Sequence, residues 1–155
     1  MAAAVTLLAK EHRGPNIAFQ ALFYPVTDAN FDTPSYLAYQ EGYWLTRKAM
    51  KRFWDNYAPD NATRKEPTIS PLLASVDQLR DLPPALVITD ENDVLRDKGE
   101  AYAHKLMQAN VTVTATPYLG TIHDFMMLNA IADTSAVRGV IDQASEMLKK
   151  TLPAK

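Results

Sequence analysis

Cysteine is absent from the 155 residues, which excludes a disulfide framework, a thiolate metal centre and a cysteine nucleophile. That absence fits a reducing compartment, and a cytoplasmic location is the expectation. Excess charge is lacking too. Sixteen basic residues against eighteen acidic ones leave a formal net charge of -2, and no block of like charge is long enough to follow a nucleic-acid backbone. No apolar run is long enough to cross a bilayer. The opening Ala2-Ala3-Ala4-Val5-Thr6-Leu7-Leu8-Ala9 is short and has no basic residue before it, so it reads as a buried helix and not as a secretory signal. Internal repeats and low-complexity tracts are missing as well. What is present, 47% hydrophobic and 22% charged residues, is the composition of one globular domain over 1–155, able to bury about two-thirds of its unfolded surface.

The alternation of elements predicts the fold class. A helix from Ala2 to His12 stops at Arg13-Gly14-Pro15, where glycine suits a left-handed cap and proline blocks continuation. Ile17 to Tyr24 is an apolar and aromatic run closed by Pro25, as expected of a strand covered on both faces. From about 28 to 71 the chain is irregular and rich in aromatic residues, with one clear helix from Thr46, a good N-cap, to Tyr57. This stretch is either cover for the core or a lid and pocket over a site. Pro84 to Thr89 forms a second buried strand running into the acidic loop Asp90-Glu91-Asn92-Asp93. A helix from Arg96 to Asn110, a strand from Val111 to Tyr118 ending before Gly120, and a helix from Thr134 to Leu152 complete the chain. Three strands alternating with helices predict an α/β fold with a parallel sheet and helices on its faces.

Ligands of open parallel sheets lie beyond the C-terminal strand ends, which directs attention to the residues after Thr89 and Tyr118. Asp93 follows the second strand and His123 the third, thirty positions on with one helix between. An aspartate beside a histidine can fix the imidazole tautomer and stabilise the imidazolium formed in general-base catalysis. A divalent-metal site from Asp90, Glu91, Asp93 and Asp97 is the rival, but Asp90 to Glu100 lacks the ligand offsets and mid-loop glycine of a calcium loop, so no metal and no cofactor is expected.

Three segments carry a resemblance. Pro84-Ala85-Leu86-Val87-Ile88-Thr89, Asp93-Val94-Leu95-Arg96-Asp97-Lys98-Gly99-Glu100-Ala101-Tyr102-Ala103 and Tyr118-Leu119-Gly120-Thr121-Ile122-His123-Asp124-Phe125 resemble the acid and histidine motifs of hormone-sensitive-lipase-like esterases, which are α/β-hydrolases. Phe23 to Asp28, Tyr43-Trp44-Leu45-Thr46 and Ile69-Ser70-Pro71-Leu72 are similar to the same family, so the likeness runs nearly end to end. The resemblance implies a carboxylic ester hydrolase with Asp93 as triad acid, His123 as general base and Asp97 as a structural carboxylate near a helix start. Val94 and Asp124 depart from the family's usual proline and glycine at those places.

The family's nucleophile sits in a Gly-x-Ser-x-Gly elbow. Gly14, Gly42, Gly99, Gly120 and Gly139 bracket none of Ser35, Ser70, Ser75, Ser135 or Ser145 at that spacing. Met1 to Ala9 resembles the helix that follows the elbow, so the expectation is a C-terminal half that begins just downstream of the serine, without the oxyanion hole and inactive alone. The partners this implies are a small acyl ester for the complete enzyme and no nucleic acid. The strand Ile17 to Tyr24 would carry a bare edge, open to a second copy, an upstream fragment or another polypeptide. A non-catalytic module that binds another chain through that edge is the alternative reading.

Overall fold

The computed structural model describes residues 1–152. Three parallel strands, β1 (Gln20–Phe23), β2 (Ala85–Asn92) and β3 (Val113–Ile122), form one sheet in the order β1-β2-β3. Register is set by Gln20↔Ala85 to Phe23↔Ile88 on one side of β2 and by Ala85↔Val113 to Asp90↔Tyr118 on the other. The principal helices are α1 (Ala2–Glu11), α2 (Pro34–Ala38), α3 (Arg47–Tyr57), α4 (Val76–Leu79), α5 (Arg96–Gln108) and α6 (Ser135–Thr151). None of the helices among the described residues is long and apolar enough to cross a membrane.

The central strand explains the layers. Ala85 and Val87 point to the face covered by Ala3 and Leu7 of α1 and by Tyr102 and Leu106 of α5. Leu86 and Ile88 point to the other, where Val137 and Val140 of α6 and Phe125 meet them. A strand buried on both faces reads as a continuous apolar run, and each Val, Leu or Ile side chain in it contributes about 1.5–3 kcal/mol on removal from water. Tyr24 breaks the alternation. Leu22 belongs with the α1 and α5 face, but the backbone turns to a φ of 38° at Tyr24, and its ring lies with Ile88 and Phe125 on the opposite one.

The strands differ in length from the expected ones. The first is only four residues, because Asn16 to Phe19 runs past the start of β2 and finds no ladder partner there. The other two are longer. The acidic segment expected as a loop continues β2 to Asn92, and β3 runs past Gly120 to Ile122, since Asn92 pairs with Ile122. Two short helices escape the hydrophobic pattern and are explained by their caps. Thr33 accepts from the Tyr36 N–H ahead of α2, and Ser75 with Gln78 forms a capping box on α4. Thr46 caps α3 as expected, accepting from the Ala49 N–H at 3.0 Å.

The segment between β1 and β2 has its own core, in which Tyr36, Met50 and Trp54 pack on Val94 and Leu95. Lys98 fastens it to α5. The ammonium is buried, donates to the carbonyls of Asp28 and Asn30, and stands 4.9 Å from the Tyr36 ring centroid. Burial pulls its pKa down to about 8, although the Asp28 carboxylate pulls the other way.

Gly99 marks the tightest contact between helix and sheet. A Cβ there would lie 2.8 Å from Cγ2 of Thr89 and 3.5 Å from Cδ of Pro25. Alanine normally favours a helix interior over glycine by about 1 kcal/mol, yet Thr89 is β-branched, held in a ladder and unable to turn aside. Gly99→Ala is therefore expected to destabilise by about 1–3 kcal/mol, read as a lower urea midpoint. Adding Thr89→Ser, which removes Cγ2, should recover most of the loss.

Candidate active site at the strand ends

The site is a product of strand register. Between Asp90↔Tyr118 and Asn92↔Ile122, β2 advances two residues and β3 four, so β3 carries an irregularity. Gly120 allows it with a φ of 71°, its N–H donating to Oε2 of Glu91 at 2.6 Å, and the Asn92 side chain donates to the Thr121 carbonyl at 3.2 Å. Because Asn92 faces Ile122, the next residue of each strand, Asp93 and His123, leaves the sheet side by side.

Nδ1 of His123 lies 2.8 Å from Oδ2 of Asp93. Asp93 is almost fully buried, and its Oδ1 accepts from the Leu95 N–H at 3.0 Å. With the carboxylate held on the helix side by that amide, the arrangement assigns the ring proton to Nδ1 and leaves the Nε2 lone pair free. Tyr24 braces the imidazole edge-on, with ring centroids 4.8 Å apart. Nε2 is 3.5 Å from Oδ1 of Asp124, too long for a good hydrogen bond.

The two departures from the resembled motif are accommodated. Val94 is fully buried against the aromatic segment. Asp124 adopts a φ of 64°, a left-handed conformation that glycine takes freely and aspartate tolerates better than most residues. Asp97, in the first turn of α5, accepts from the Ser35 N–H at 2.7 Å and from Arg96 Nε at 3.1 Å, tying α2 to α5.

His123 and Asp124 line a cavity of about 490 Å³ whose other walls include Trp44, Phe53, Trp54 and Tyr57. Tyr36 is buried cover, Trp54 is buried at the cavity wall, and Trp44 and Phe53, 63% and 54% exposed, line the same cavity. Ser70 is fully buried, and no serine hydroxyl bonds to His123 among the described residues.

Of the acidic residues weighed as a metal site, Glu91 is spent on Gly120 and Asp97 on Ser35 and Arg96. Asp90 remains, and with Asp93 and His123 it offers oxygen and nitrogen atoms within 4.8 Å of one another. Asp93 and Nδ1 of His123 already satisfy each other, which leaves Asp90 as the unassigned member. Its place could have been found in the sequence: Leu86, Ile88 and Asp90 share a face by strand periodicity, so an aspartate continues an apolar row inward. Tyr24 gave no such signal, because its position depends on a local turn of the backbone.

The model of a family described as alpha/beta hydrolase fold matches residues 1–127. An ethyl acetate hydrolase of Pseudomonas putida is 41% identical over 74% of this chain and 35% of its own length. The crystal structure of a thermostable esterase from the same species superposes with a TM-score of 0.96 at 50% identity, over 99% of this chain and 48% of that one. A fungal esterase structure from Rhizomucor miehei gives a TM-score of 0.90 at 48% identity, over 96% of this chain and 46% of that one. The chain spans about half the length of these relatives, or less. Sheet order, strand-end geometry and sequence similarity agree: the chain belongs to the alpha/beta hydrolase fold family, among its carboxylesterase-like members.

Proposed function

We propose that this chain supplies the acid and base of a Ser-His-Asp carboxylic ester hydrolase, with the nucleophilic serine and the oxyanion hole contributed by sequence outside it. The observation that carries the reading is the 2.8 Å bond between Asp93 and Nδ1 of His123, on an imidazole that also lines an apolar cavity. In this reading Nε2 takes the serine proton as the hydroxyl attacks the ester carbonyl, Asp93 stabilises the imidazolium, and Nε2 then returns the proton to the departing alkoxide. Water then attacks the acyl-serine carbonyl, its proton passing to Nε2 and from there to the serine oxygen as that ester bond breaks and the acid leaves. The cavity suits acyl groups of modest length, and Trp44 and Phe53 are the side chains placed to contact them.

The test is ester cleavage by the 155-residue chain, alone and fused behind the part of the Pseudomonas putida esterase that it does not match, with folding of each protein checked by circular dichroism. Turnover of p-nitrophenyl acetate by the fusion and none by the chain alone is the expected result. Silence from a folded fusion would favour the second reading, a binding module. That reading has one observation behind it: β1 lies at the edge of the sheet and pairs only with β2 among the described residues.

A further inference from the structure

Asp90 is a buried acidic group at the strand ends that the proposed hydrolysis does not use. It stands in β2, fully buried, and among the described residues no N–H or O–H donates to either of its carboxyl oxygens. A carboxylate left in that condition is costly, and the usual remedies are a partner or a proton. Its neighbours supply no positive partner. Asp93 comes just after the end of β2, Asp124 comes from the loop after β3, and the Tyr24 hydroxyl, buried and itself unpaired, comes from the end of β1. His123 completes the surround, but its Nδ1 is turned to Asp93.

We propose that Asp90 is a positioning residue: a neutral carboxylic acid that donates its proton to the Asp93 carboxylate and so fixes the oxygen that orients His123. Two carboxylates cannot bond to each other, but an acid and a carboxylate can, and besides the unpaired Tyr24 hydroxyl the Asp93 carboxylate is the acceptor that the surroundings offer Asp90. The proton is placed on Asp90 because Asp93 already receives the Leu95 N–H and Nδ1 of His123, whereas no donor reaches Asp90 among the described residues. Burial foremost, then the charges of Asp93 and Asp124, push the Asp90 carboxyl up to about 9. At neutral pH the row is therefore acid, carboxylate, imidazole. Above pH 9 it becomes two adjacent anions facing one ring, and the ring should feel the change.

This inference rests on the roles given to Asp93 and His123, but its readout is independent of ester turnover, so either can fail without the other. In the 155-residue chain labelled with ¹³C and ¹⁵N, side-chain carboxyl carbons of aspartate and ring nitrogens of His123 are followed by NMR from pH 5 to 10. Expected are an Asp90 carboxyl carbon at the shift of a protonated acid at pH 7, its deprotonation near pH 9, and a step in the His123 nitrogen shifts at that same pH. In Asp90→Asn, whose amide can still donate to Asp93, the alkaline step should vanish while the Nδ1 proton resonance of His123 is retained. Asp90→Ala should broaden or lose that resonance. An Asp90 carboxyl ionised at pH 7, or an alkaline step of His123 that survives in Asp90→Asn, would overturn the proposal. The carboxyl measurement needs no variant, so it decides the matter even if a substituted chain does not fold.

Discussion

On the mechanism proposed above, His123→Ala in the fusion with the Pseudomonas putida part is expected to lower kcat on a short-chain ester by about 10⁴- to 10⁶-fold, with KM little changed. The loss is large because the base acts only when the serine oxygen is being deprotonated, so its removal raises the transition state and leaves the bound ester untouched. Asp93→Asn should cost on the order of 10⁴ in kcat by a different route. Oδ1 of Asp93 receives the Leu95 N–H, and an asparagine would keep its oxygen there. Its NH₂ would then face Nδ1 of His123, which could only accept, and the ring proton would move to Nε2, the atom that must take the serine proton. Stopped-flow or steady-state assays of the two variants, alongside unchanged circular dichroism, check both expectations. A drop in kcat of less than about tenfold in either would remove that residue from the mechanism.

Asp90→Asn is expected to act in the opposite direction on stability. The Asp90 carboxyl titrates at about 9 in the fold against 3.8 in a free chain, so between those values the folded state must hold a proton that the unfolded chain releases. A group raised in this way gives its full support below about pH 4, where both states are protonated, and loses it progressively as pH rises towards 9. Asparagine does not ionise and keeps a donor towards Asp93. At pH 7 the variant should be more stable by about 2–4 kcal/mol, with little gain at pH 4. Urea midpoints at pH 4, 7 and 9 for parent and variant measure this directly, and the contribution of the buried Lys98 ammonium, lowered to about 8 and opposite in sign, cancels in the difference. Equal gains at all three pH values would mean that Asp90 is not the source of the slope.

What the sequence reveals of this molecule depends on whether the cause is local. Leu86-Val87-Ile88 declares a strand covered on both faces by composition alone, and Thr46 declares a helix start by its hydroxyl, so both are legible from residues within a few positions. Asp93 and His123 follow successive strands of a parallel sheet, so they can meet across the loops, and the resemblance to hormone-sensitive-lipase-like esterases singles the pair out from other loop residues. The strand ends cannot be read in this way. Whether Asp90 to Asn92 is loop or ladder depends on a pairing with Ile122 thirty residues away, and on the irregularity at Gly120 that permits it. The role of Tyr24 is hidden for the same reason, since its ring reaches His123 through a positive φ imposed by what surrounds the end of β1. The helices α2 and α4 are too short for periodicity to announce and are visible only through the hydroxyls of Thr33 and Ser75.

The two extra residues that β3 spends between Tyr118 and Ile122 have a consequence for how this chain can drift. Side chains at 94 and 124 differ from the resembled pattern and the strand-end pair still meets, because identity at those places is negotiable. Spacing is not: deleting one residue at Leu119 or Gly120 would swing the imidazole to the far side of the sheet, since neighbouring strand residues face opposite ways. Heredity at this corner of the molecule is thus kept in arithmetic, and insertions or deletions should be far rarer among functional descendants than substitutions.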